Sequence, residues 1–329
     1  MLKEIGQSDG AAQNFEGESM MYSTIATKNL SREQWLHLRK SGIGGSDAGA
    51  ICGLNPYVSP MAVYQDKVSD EISLSDNEAM RQGRDLEEYV AQRFTEVTGM
   101  KVRRSNKMYR STEHPWMIAD IDRMIVGSEA GLECKTVSAY NADKWADGAI
   151  PMHYLAQCYH YMIVTGHRIW YLAAVILGQD FQYRKIEYDE AFARNLIALE
   201  SDFWNNHVKP RQMPDLDGSK SCDEVLDQSF KIAKAGASIP LVGFDEKLRY
   251  REELRVLIQK LEQEQKQIDQ EIKVYMKDCE QAISDRYKVS WSQVETVRLD
   301  TKRIKAELPD VYENFSTVTQ SRRFMVKAA

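Results

Sequence analysis

The strand predicted over Leu132–Val137 restricts the fold more than any other segment, because its residues alternate between two chemically different faces. Side chains two residues apart on an extended strand point to the same face. Glu133 and Lys135 therefore project together, while Leu132 and Cys134 point to the opposite face, which is expected to be buried. The sequence thus predicts a strand that packs against other elements on one side and presents an acid and a base on the other.

A second acid is expected close to this pair. The apolar stretch Trp116–Val126 is predicted to be a strand carrying Asp122, and the turn-prone residues 127–131 would fold the two strands into a hairpin. Asp120 lies on the same predicted strand face as Asp122 and is therefore the alternative acid. The hairpin would hold two carboxylates and an ammonium group in one small space.

Two carboxylates and a lysine at this spacing are typical of metal-dependent phosphodiesterases. Mg²⁺ takes oxygen ligands and is often held by one or two carboxylates together with waters. Asp122, Glu133 and the backbone carbonyl of Cys134 are the predicted ligands, and Lys135 would orient or help to deprotonate the attacking water. The alternative interpretation is a solvated strand face, because acids and lysines often alternate there.

A glycine-rich segment earlier in the chain is a candidate anion site. Ser31 and Gln34 form a capping-box pattern that predicts the start of a helix carrying Arg39. Residues 41–47 follow as a glycine-rich turn that leads into a short helix, and they lack the Gly-Lys-Ser/Thr ending of a nucleotide-binding P-loop. Exposed backbone amides at the start of this helix, with Ser46 or Asp47 as its cap, could form a small anion site, and an ordinary capped turn is the alternative.

Two further helices carry polar candidates. The helix predicted over Asp85–Val97 has its apolar stripe at Leu86, Tyr89, Val90, Phe94 and Val97. Glu87 falls on that stripe, where a carboxylate is costly unless it is paired or binds a metal. Pairing with an arginine such as Arg84 is the alternative to a metal. In the helix predicted over His153–Thr165, Tyr154, Gln157 and Tyr161 line one flank.

The charge distribution is more informative than the net charge of −6. Five basic residues fall just before Asp122, at Lys101, Arg103, Arg104, Lys107 and Arg110. Such a cluster is often only a solvated face. Its position next to a predicted phosphodiesterase centre favours contact with DNA phosphates, which would make binding strongly dependent on salt.

The composition excludes several classes of protein. No apolar run approaches the roughly 20 residues that cross a bilayer, and residues 1–30 are expected to be a disordered leader and not a signal peptide. The five cysteines contain no Cys-x-x-Cys pair, which argues for a reducing cytosol and against zinc or an iron–sulfur cluster. The predicted location is therefore the cytoplasm.

Alternating strands and helices predict a mixed α/β domain over residues 31–211, followed by a linker over 212–243. Residues 244–329 would form a C-terminal extension with a long charged helix over 245–287 and a small β-rich tail. Apolar residues recur along this helix at three- and four-residue steps, with Gln265 interrupting them, which indicates a helical hairpin or a coiled-coil seam.

Five motifs in this order resemble the YqaJ-type viral recombinase nucleases, relatives of phage lambda exonuclease within the restriction-endonuclease-like Asp…Glu-x-Lys superfamily. The motifs are Arg39-Lys40-Ser41-Gly42-Ile43-Gly44-Gly45-Ser46-Asp47, Gly83-Arg84-Asp85-Leu86-Glu87, Ile121-Asp122, Leu132-Glu133-Cys134-Lys135-Thr136 and Tyr154-Leu155-Ala156-Gln157-Cys158. The resemblance implies a restriction-endonuclease-like mixed sheet flanked by helices. One departure is Arg123, where relatives often have glycine.

The resemblance also implies an activity. Such enzymes are Mg²⁺-dependent 5′→3′ exonucleases, with Mn²⁺ as an alternative cation, that degrade one strand of linear double-stranded DNA and leave 3′ tails for recombination. They are similar in forming toroidal homotrimers and acting with a single-strand annealing protein in a bacterial or phage-infected cell. The alternatives are an endonuclease with the same core and a non-catalytic DNA-binding module that uses the long helix as an interaction arm.

The resemblance assigns roles to individual residues. Asp122 and Glu133 correspond to metal ligands, Lys135 to the catalytic lysine, and Glu87 to a helix carboxylate near the metal. Further active-site helix residues correspond to Gln157 and Tyr154, and the 5′-phosphate region to Arg39 and Ser46. Further DNA contacts are expected at Arg84, Arg103, Arg104 and Lys107. Whether one metal ion or two are bound stays open.

Overall fold

Two sheets organise the first of two units in the computed structural model, which describes residues 21–72 and 77–327 and divides the chain after Phe230. Their strands are β1 Tyr22–Ala26, β2 Ile43–Gly44, β3 Val102–Arg104, β4 Lys107–Ser111, β5 Met117–Asp120, β6 Arg123–Ile125, β7 Ala130–Val137, β8 Ile169–Ile176 and β9 Asp180–Glu187. The five-stranded sheet has the order β3-β6-β7-β8-β9, and the four-stranded sheet has the order β1-β4-β5-β2. In the larger sheet β7 is antiparallel to β6 and parallel to β8, so the predicted mixed sheet is confirmed.

Seven helices of this unit, among the described residues, surround the sheets. They are α1 Arg32–Lys40, α2 Gly45–Ile51, α3 Pro60–Val68, α4 Glu78–Thr98, α5 Met152–Thr165, α6 Glu190–Asp202 and α7 Lys220–Ser229. A 3₁₀ segment covers Ala139–Gly148, and a π-helical turn, Phe203–Val208, continues α6. The predicted fold class, α/β with helices flanking a mixed sheet, is therefore what the structure shows.

Strand β7 has the two faces that its alternating sequence predicts. Leu132 is fully buried in a cluster with Phe94 of α4, and Cys134 packs against the same cluster. On the opposite face, Glu133 contacts Gln157 of α5. Helices α4 and α5 thus cover opposite sides of this strand, and Glu133 points toward α5.

The single strand predicted over Trp116–Val126 is wrong. The structure has two short strands there, β5 and β6, and they belong to different sheets. The chain changes sheet at Ile121 and Asp122, between the two strands. The Asp122 carboxylate accepts a hydrogen bond of 2.8 Å from the Cys134 amide, next to the β6–β7 pair Arg123–Leu132. A side chain therefore takes the place of a backbone acceptor at the point where the hairpin ends.

The helix predictions are confirmed in position and corrected in detail. The Ser31–Gln34 capping box at the start of α1 is present. Helix α4 begins earlier than the predicted Asp85, at Glu78. Tyr89 and Val97, predicted to be on its apolar stripe, are 48% and 51% exposed. The buried residues of α4 are Val90, Ala91 and Phe94, so the helix face that packs in the core is narrower than the predicted stripe.

Parts of the predicted leader and linker have regular structure. Residues 22–26 form β1, which pairs with β4, while residues 1–20 lie outside the described part of the chain. Within 212–243, helix α7 packs on α3, and its Cys222 is buried beside Met61 and Tyr64. The Ser59 amide also donates to the Ser221 hydroxyl at 3.1 Å. The end of the predicted linker, from Lys231, begins the second unit.

The second unit contains a long helix and small elements. They are α8 Asp245–Met276, β10 Gln281–Ile283, β11 Lys288–Ser290, α9 Thr301–Glu307 and α10 Pro309–Asn314. The predicted helix end at residue 287 is wrong, because the β10–β11 hairpin occupies that region, and the described residues form no strand at 296–299 or 323–326. None of the helices formed by the described residues has the length and apolar character needed to cross a bilayer.

The apolar seam of α8 is exposed to solvent. The apolar residues that recur at three- and four-residue steps include Leu254, Ile258, Leu261 and Ile268, and these are between 39% and 57% exposed. The described part of the chain therefore does not bury this seam. The predicted helical hairpin is wrong, because α8 is one continuous helix from Asp245 to Met276. The coiled coil stays a prediction that concerns contacts with another molecule.

A buried ion pair connects three elements of the first unit. His160 of α5 makes contacts of 2.9 and 3.0 Å to the two carboxylate oxygens of Glu200 in α6, and its other ring nitrogen lies 2.9 Å from the Ile118 carbonyl of β5. Burial raises the pKa of Glu200, and the His160 charge acts in the opposite direction. With Glu200 ionised, both partners are acceptors, so both ring nitrogens carry protons and the ring is a cation. Burial lowers the pKa of His160, but Glu200 and the Ile118 carbonyl outweigh this and raise it above its usual value.

Glu200→Ala is expected to destabilise the first unit by about 3–5 kcal/mol, because it leaves the fully buried His160 cation without its partner. The matched control is Glu190→Ala, since Glu190 pairs with Arg168 at the surface with side chains 66% and 65% exposed. The control should change the free energy of unfolding by no more than about 1 kcal/mol. Urea unfolding followed by circular dichroism measures both variants.

The pH dependence provides a second measurement on the same variants. Because the pKa of His160 is raised by folding, its stabilisation is fully present below the ordinary histidine pKa and is lost as the pH rises through the raised value. Glu200→Ala should remove this loss, and Glu190→Ala should keep it. Equal destabilisation by the two variants would contradict the assignment of a charged, buried pair.

Candidate active site

A cavity of about 150 Å³ lies where α1, α2, α5, β5 and β7 meet. Six of the residues singled out in the sequence line it: Arg39, Ser46, Asp120, Asp122, Glu133 and Gln157. These residues come from distant parts of the chain, and the sheet crossover after β5 brings them together. The predicted acids, the predicted anion-binding residues and the α5 glutamine therefore share one small space.

Glu133 is held by two donors on one of its oxygens. It is 3% exposed, and its Oε1 atom lies 2.6 Å from Lys135 Nζ and 2.7 Å from Gln157 Nε2. Gln157 Nε2 also lies 2.9 Å from the Tyr161 hydroxyl, which fixes the amide between the two groups. Glu133 Oε2 is buried and has no hydrogen-bond partner among the described residues. A buried carboxylate oxygen without a donor is suited to bind a cation.

Asp122 and Glu133 repel each other in a buried environment. Burial raises the pKa of Asp122, and the carboxylates of Glu133 and Glu87 raise it further. Burial is also the main cause that raises the pKa of Glu133, and Lys135 acts in the opposite direction. A cation between the two carboxylates would remove this repulsion, because an opposite charge within a few ångströms favours the ionised form.

The donor set fits a hard divalent cation that keeps waters in its coordination shell. Two carboxylates are available, and the Cys134 amide points at Asp122. The N–H and C=O of one strand residue leave the strand on the same side, so the Cys134 carbonyl is a third candidate ligand. Within the described residues no three His, Cys, Asp or Glu side chains gather closely enough to hold a metal by themselves. Mg²⁺ needs only one or two carboxylates.

Lys135 is a charged donor in this site. Burial lowers its pKa, but Glu133 and Asp122 outweigh burial, and the pKa lies above its usual value. Its Nζ atom also lies 4.9 Å from the centre of the Tyr154 ring, a cation–π contact. The lysine is therefore an ammonium group at neutral pH, which favours the orienting role over the role of a base. Tyr154 reaches the site only through this contact with Lys135.

Glu87 pairs with an arginine, and the arginine is Arg123. The Glu87 carboxylate accepts a hydrogen bond from Arg123 Nη1, while Arg123 Nη2 lies 3.0 Å from Glu88. Arg123 is 2% exposed and also donates to the Asp122 carbonyl at 2.8 Å. The residue that departs from the family pattern thus holds the helix carboxylate and the backbone of Asp122. Glu87 as a metal ligand stays a prediction.

Asp120 lines the same cavity but has a fixed donor. Trp35 Nε1 donates to its carboxylate at 2.8 Å. Burial raises the pKa of Asp120, and the Trp35 hydrogen bond and the Arg39 charge act in the opposite direction. The Glu133 charge raises the pKa of Asp122, whereas it is not among the causes that shift the pKa of Asp120. Asp122 is therefore the better candidate to share a cation with Glu133. The sequence offered no signal for Trp35 beyond its place on α1.

The predicted anion-binding residues contact each other. Arg39 Nη2 donates to the Ser46 hydroxyl at 2.8 Å and lies 3.6 Å from the Asp47 carboxylate. The Arg39 guanidinium also stacks 5.0 Å from the centre of the Trp35 ring.

Gly45 allows α2 to approach α5, because a Cβ atom there would lie 2.4 Å from the Tyr161 ring.

The remaining predicted DNA contacts lie outside the cavity lining. Arg103 and Lys107 are exposed on β3 and β4, and Arg84 is exposed on α4. Arg104 pairs with Glu88 at 3.0 Å. These four residues are therefore surface positions, and any contact with DNA would be with the part of the duplex outside the cavity.

Comparison with known sequences decides the family. Residues 34–168 match the YqaJ-like viral recombinase domain. The uncharacterized protein YqaJ of Bacillus subtilis (strain 168) is 38% identical over 309 residues, which cover 92% of this chain and 97% of that protein. This chain belongs to the YqaJ family. The family domain includes most of α1 and all of β7 and α5, and therefore all of the cavity residues discussed above.

The match with YqaJ covers 92% of this chain, so the unmatched residues are too few to make up the second unit. The relationship therefore extends into that unit. Two solved structures of LHK-Exo, an alkaline exonuclease from Laribacter hongkongensis, one of them in complex with dAMP, superpose with TM-scores of 0.46. They are 17% and 15% identical and cover 61% of this chain and 100% of theirs. A phage-related exonuclease from Haemophilus somnus 129PT covers 54% of this chain and 100% of its own, with a TM-score of 0.39 and 11% identity.

Mg²⁺ or Mn²⁺ is expected to raise the melting temperature of the wild-type protein but not of Asp122→Asn. A ligand at 100 times its dissociation constant stabilises the folded state by about 2.7 kcal/mol. The matched control is Asp120→Asn, which should keep the response because Asp120 is bound to Trp35. Thermal unfolding with and without excess chelator measures the effect. A response lost in Asp120→Asn and kept in Asp122→Asn would transfer the ligand role to Asp120.

In chelator, the same variants should differ in pH dependence. Because the pKa of Asp122 is raised by folding, its stabilising contribution is present at acidic pH and is lost as the pH rises through the raised value. Asp122→Asn should therefore be more stable than the wild type at neutral pH without a cation. A wild type that is as stable as the variant there would contradict the repulsion between Asp122 and Glu133.

Proposed function

We propose that the protein is a Mg²⁺-dependent 5′→3′ exonuclease that degrades one strand of linear double-stranded DNA and leaves 3′ tails for phage-type recombination. One observation carries the proposal: an arginine–serine pair suited to a phosphate shares a cavity with two buried carboxylates and, through Glu133, with a lysine. A site that binds a strand end next to a phosphodiesterase centre would cleave the bond closest to that end. Membership of a viral recombinase family supports the same activity.

Asp122, Glu133 and the Cys134 carbonyl would hold the cation, with Mn²⁺ as an alternative to Mg²⁺. When bound, the cation supplies charge neutralisation at the scissile phosphate and lowers the pKa of the attacking water. Glu133 is already oriented for this by Gln157 and Lys135, which both contact its Oε1 atom and leave Oε2 without a protein donor. Preorganised ligands need no rearrangement when the cation enters.

Lys135 would orient the water and stabilise the charge that develops on the phosphate. Its ammonium is held between Glu133 at 2.6 Å and the Tyr154 ring at 4.9 Å, so its direction is restricted from two sides. In-line displacement then needs only a correctly placed water and an electrophilic phosphorus. Tyr154 acts through the lysine in this mechanism.

Arg39 and Ser46 would hold the 5′-phosphate. A guanidinium can make two parallel hydrogen bonds to phosphate oxygens, and the Ser46 hydroxyl can add a third. The stacking of Arg39 on Trp35 fixes the plane of the guanidinium. Exposed Arg84, Arg103, Arg104 and Lys107 would contact the rest of the duplex, which predicts binding that weakens with salt.

We also propose a homotrimeric ring and a single-strand annealing protein as partner, acting in the bacterial cytoplasm. The family resemblance supports both. The exposed seam of α8, with Leu254, Ile258, Leu261 and Ile268, provides an apolar surface for another chain. A trimer would have three times the chain mass of 37.8 kDa in light scattering.

Two alternatives make different predictions. An endonuclease with the same core would cut closed circular DNA, which an enzyme that binds a 5′ end leaves intact. A non-catalytic module would bind DNA without releasing nucleotides, and it is disfavoured because Asp122, Glu133 and Lys135 are all present and close together. Linear duplex labelled at either the 5′ or the 3′ end, with a closed circle alongside, distinguishes the three cases. Rapid release of the 5′ label that needs Mg²⁺, with the circle intact, is the expected result.

Lys135→Ala is expected to reduce turnover by at least about 100-fold, the usual lower range for a positioned proton-transfer or orienting group. Binding of the duplex should change little, because Lys135 is not a cation ligand in this mechanism. Lys185→Ala is the matched control, since Lys185 pairs with Glu187 on the exposed edge strand β9. Turnover by nucleotide release and binding by fluorescence anisotropy measure the two effects. Near-normal turnover in Lys135→Ala would remove the lysine from the mechanism.

A further inference from the structure

Lys67 is a buried cation next to the predicted phosphate pocket. Its side chain is 0% exposed, on the last turn of α3. Its Nζ atom lies 2.7 Å from the Asp47 carboxylate and donates to the Arg39 carbonyl at 3.2 Å. A third contact, 3.6 Å long, reaches the half-exposed Asp66. A buried ammonium is costly unless its partners compensate it, and these contacts provide that compensation.

Asp47 is the group that Lys67 compensates. One Asp47 oxygen accepts hydrogen bonds from Lys67 and from the Gly44 amide at 2.9 Å, and the other lies 3.6 Å from Arg39. Burial raises the pKa of Asp47, but Lys67 and Arg39 outweigh it and hold the pKa below its usual value. A carboxylate is therefore present beside the guanidinium that is proposed to bind phosphate.

An uncompensated carboxylate at this position would weaken phosphate binding in two ways. It would draw the Arg39 guanidinium toward itself. It would also repel the phosphate, and this repulsion is strong because the effective dielectric constant inside a protein is lower than that of water. Lys67 offsets that charge at Asp47 Oδ2, whereas Arg39 lies nearer to Oδ1. Its bond to the Arg39 carbonyl also holds the last turn of α1, from which Arg39 extends.

We infer that Lys67 is a positioning residue for the 5′-phosphate pocket: it neutralises Asp47, so that Arg39 stays available to a phosphate that Lys67 itself does not touch. This inference rests on the proposed 5′→3′ exonuclease with its 5′-phosphate site, and adds to it a residue that sets the charge around Arg39.

The experiment compares two linear duplexes of one sequence, with a 5′-phosphate or a 5′-hydroxyl on the degraded strand. Initial rates give kcat and KM for the full-length wild type, Lys67→Met, Lys67→Arg and the double variant Lys67→Met with Asp47→Asn. The wild type should prefer the phosphorylated end. In Lys67→Met the ratio of kcat/KM for the phosphorylated end to kcat/KM for the hydroxyl end should fall at least about tenfold, as expected for the loss of one hydrogen bond to a charged group. The change should come mainly from a higher KM for the phosphorylated end.

The other variants separate charge compensation from packing. Lys67→Arg keeps the cation and should keep most of the preference. In the double variant both charges are absent, so the preference should recover relative to Lys67→Met although the lysine contacts are still lost. If Lys67→Met does not fold, as judged by circular dichroism, the double variant decides the question. Loss of preference in a folded double variant would overturn charge compensation.

The wild-type result tests the proposed function independently of the inference. A wild type that releases nucleotides from 5′ ends without regard to the phosphate would keep the exonuclease and overturn the phosphate pocket, and the role of Lys67 with it. A wild type that prefers the phosphate, together with an unchanged preference in Lys67→Met, would overturn the role of Lys67 alone. A wild type that releases no nucleotides would overturn the proposed function.

Discussion

The hydrogen bond from the Cys134 amide to the Asp122 carboxylate is the interaction on which the rest of the site depends. It lies where the chain passes from the four-stranded sheet to the five-stranded sheet, and it ends the β6–β7 pairing with a side chain. Because of it, Asp122 is held beside Glu133 although like charges in a buried site repel. Lys135 and Gln157 contact Glu133, while Arg123 contacts Glu87 and the Asp122 carbonyl. These contacts compensate part of the repulsion. The repulsion that remains is what a divalent cation would remove.

Helix α1 connects this centre to the proposed phosphate pocket. Trp35 donates to Asp120 and supports the Arg39 guanidinium, so one indole contacts both an acid of the cavity and its principal cation. Next to Arg39, Lys67 and Asp47 form a buried pair that sets the charge around the guanidinium. End recognition and phosphodiester cleavage would thus be coupled by short, rigid contacts and not by a long-range rearrangement. Such coupling suits an enzyme that removes nucleotides from an end.

Local patterns predicted several elements correctly. The two faces of β7, the capping box of α1 and helix α5 depend on nearest-neighbour spacing, which the sequence shows directly. The errors have a common cause. The strand over Trp116–Val126 looked continuous because both of its halves are apolar, but they pair with different neighbours. Likewise, Tyr89 and Val97 have the period of a buried stripe, yet the buried face of α4 is narrower and contains Val90, Ala91 and Phe94.

By itself, the sequence determined which residue types were available and which of them share a strand or helix face. It singled out Asp122, Glu133, Lys135, Arg39, Ser46 and Gln157, and the family relationship covers all of them. Only the tertiary structure decided that Glu87 pairs with Arg123, that Trp35 binds Asp120 and that Lys67 compensates Asp47. These pairs are distant in sequence, and their charge states follow from burial and from neighbours that the fold brings together. No local periodicity contains that information, because it depends on which surfaces of the chain meet.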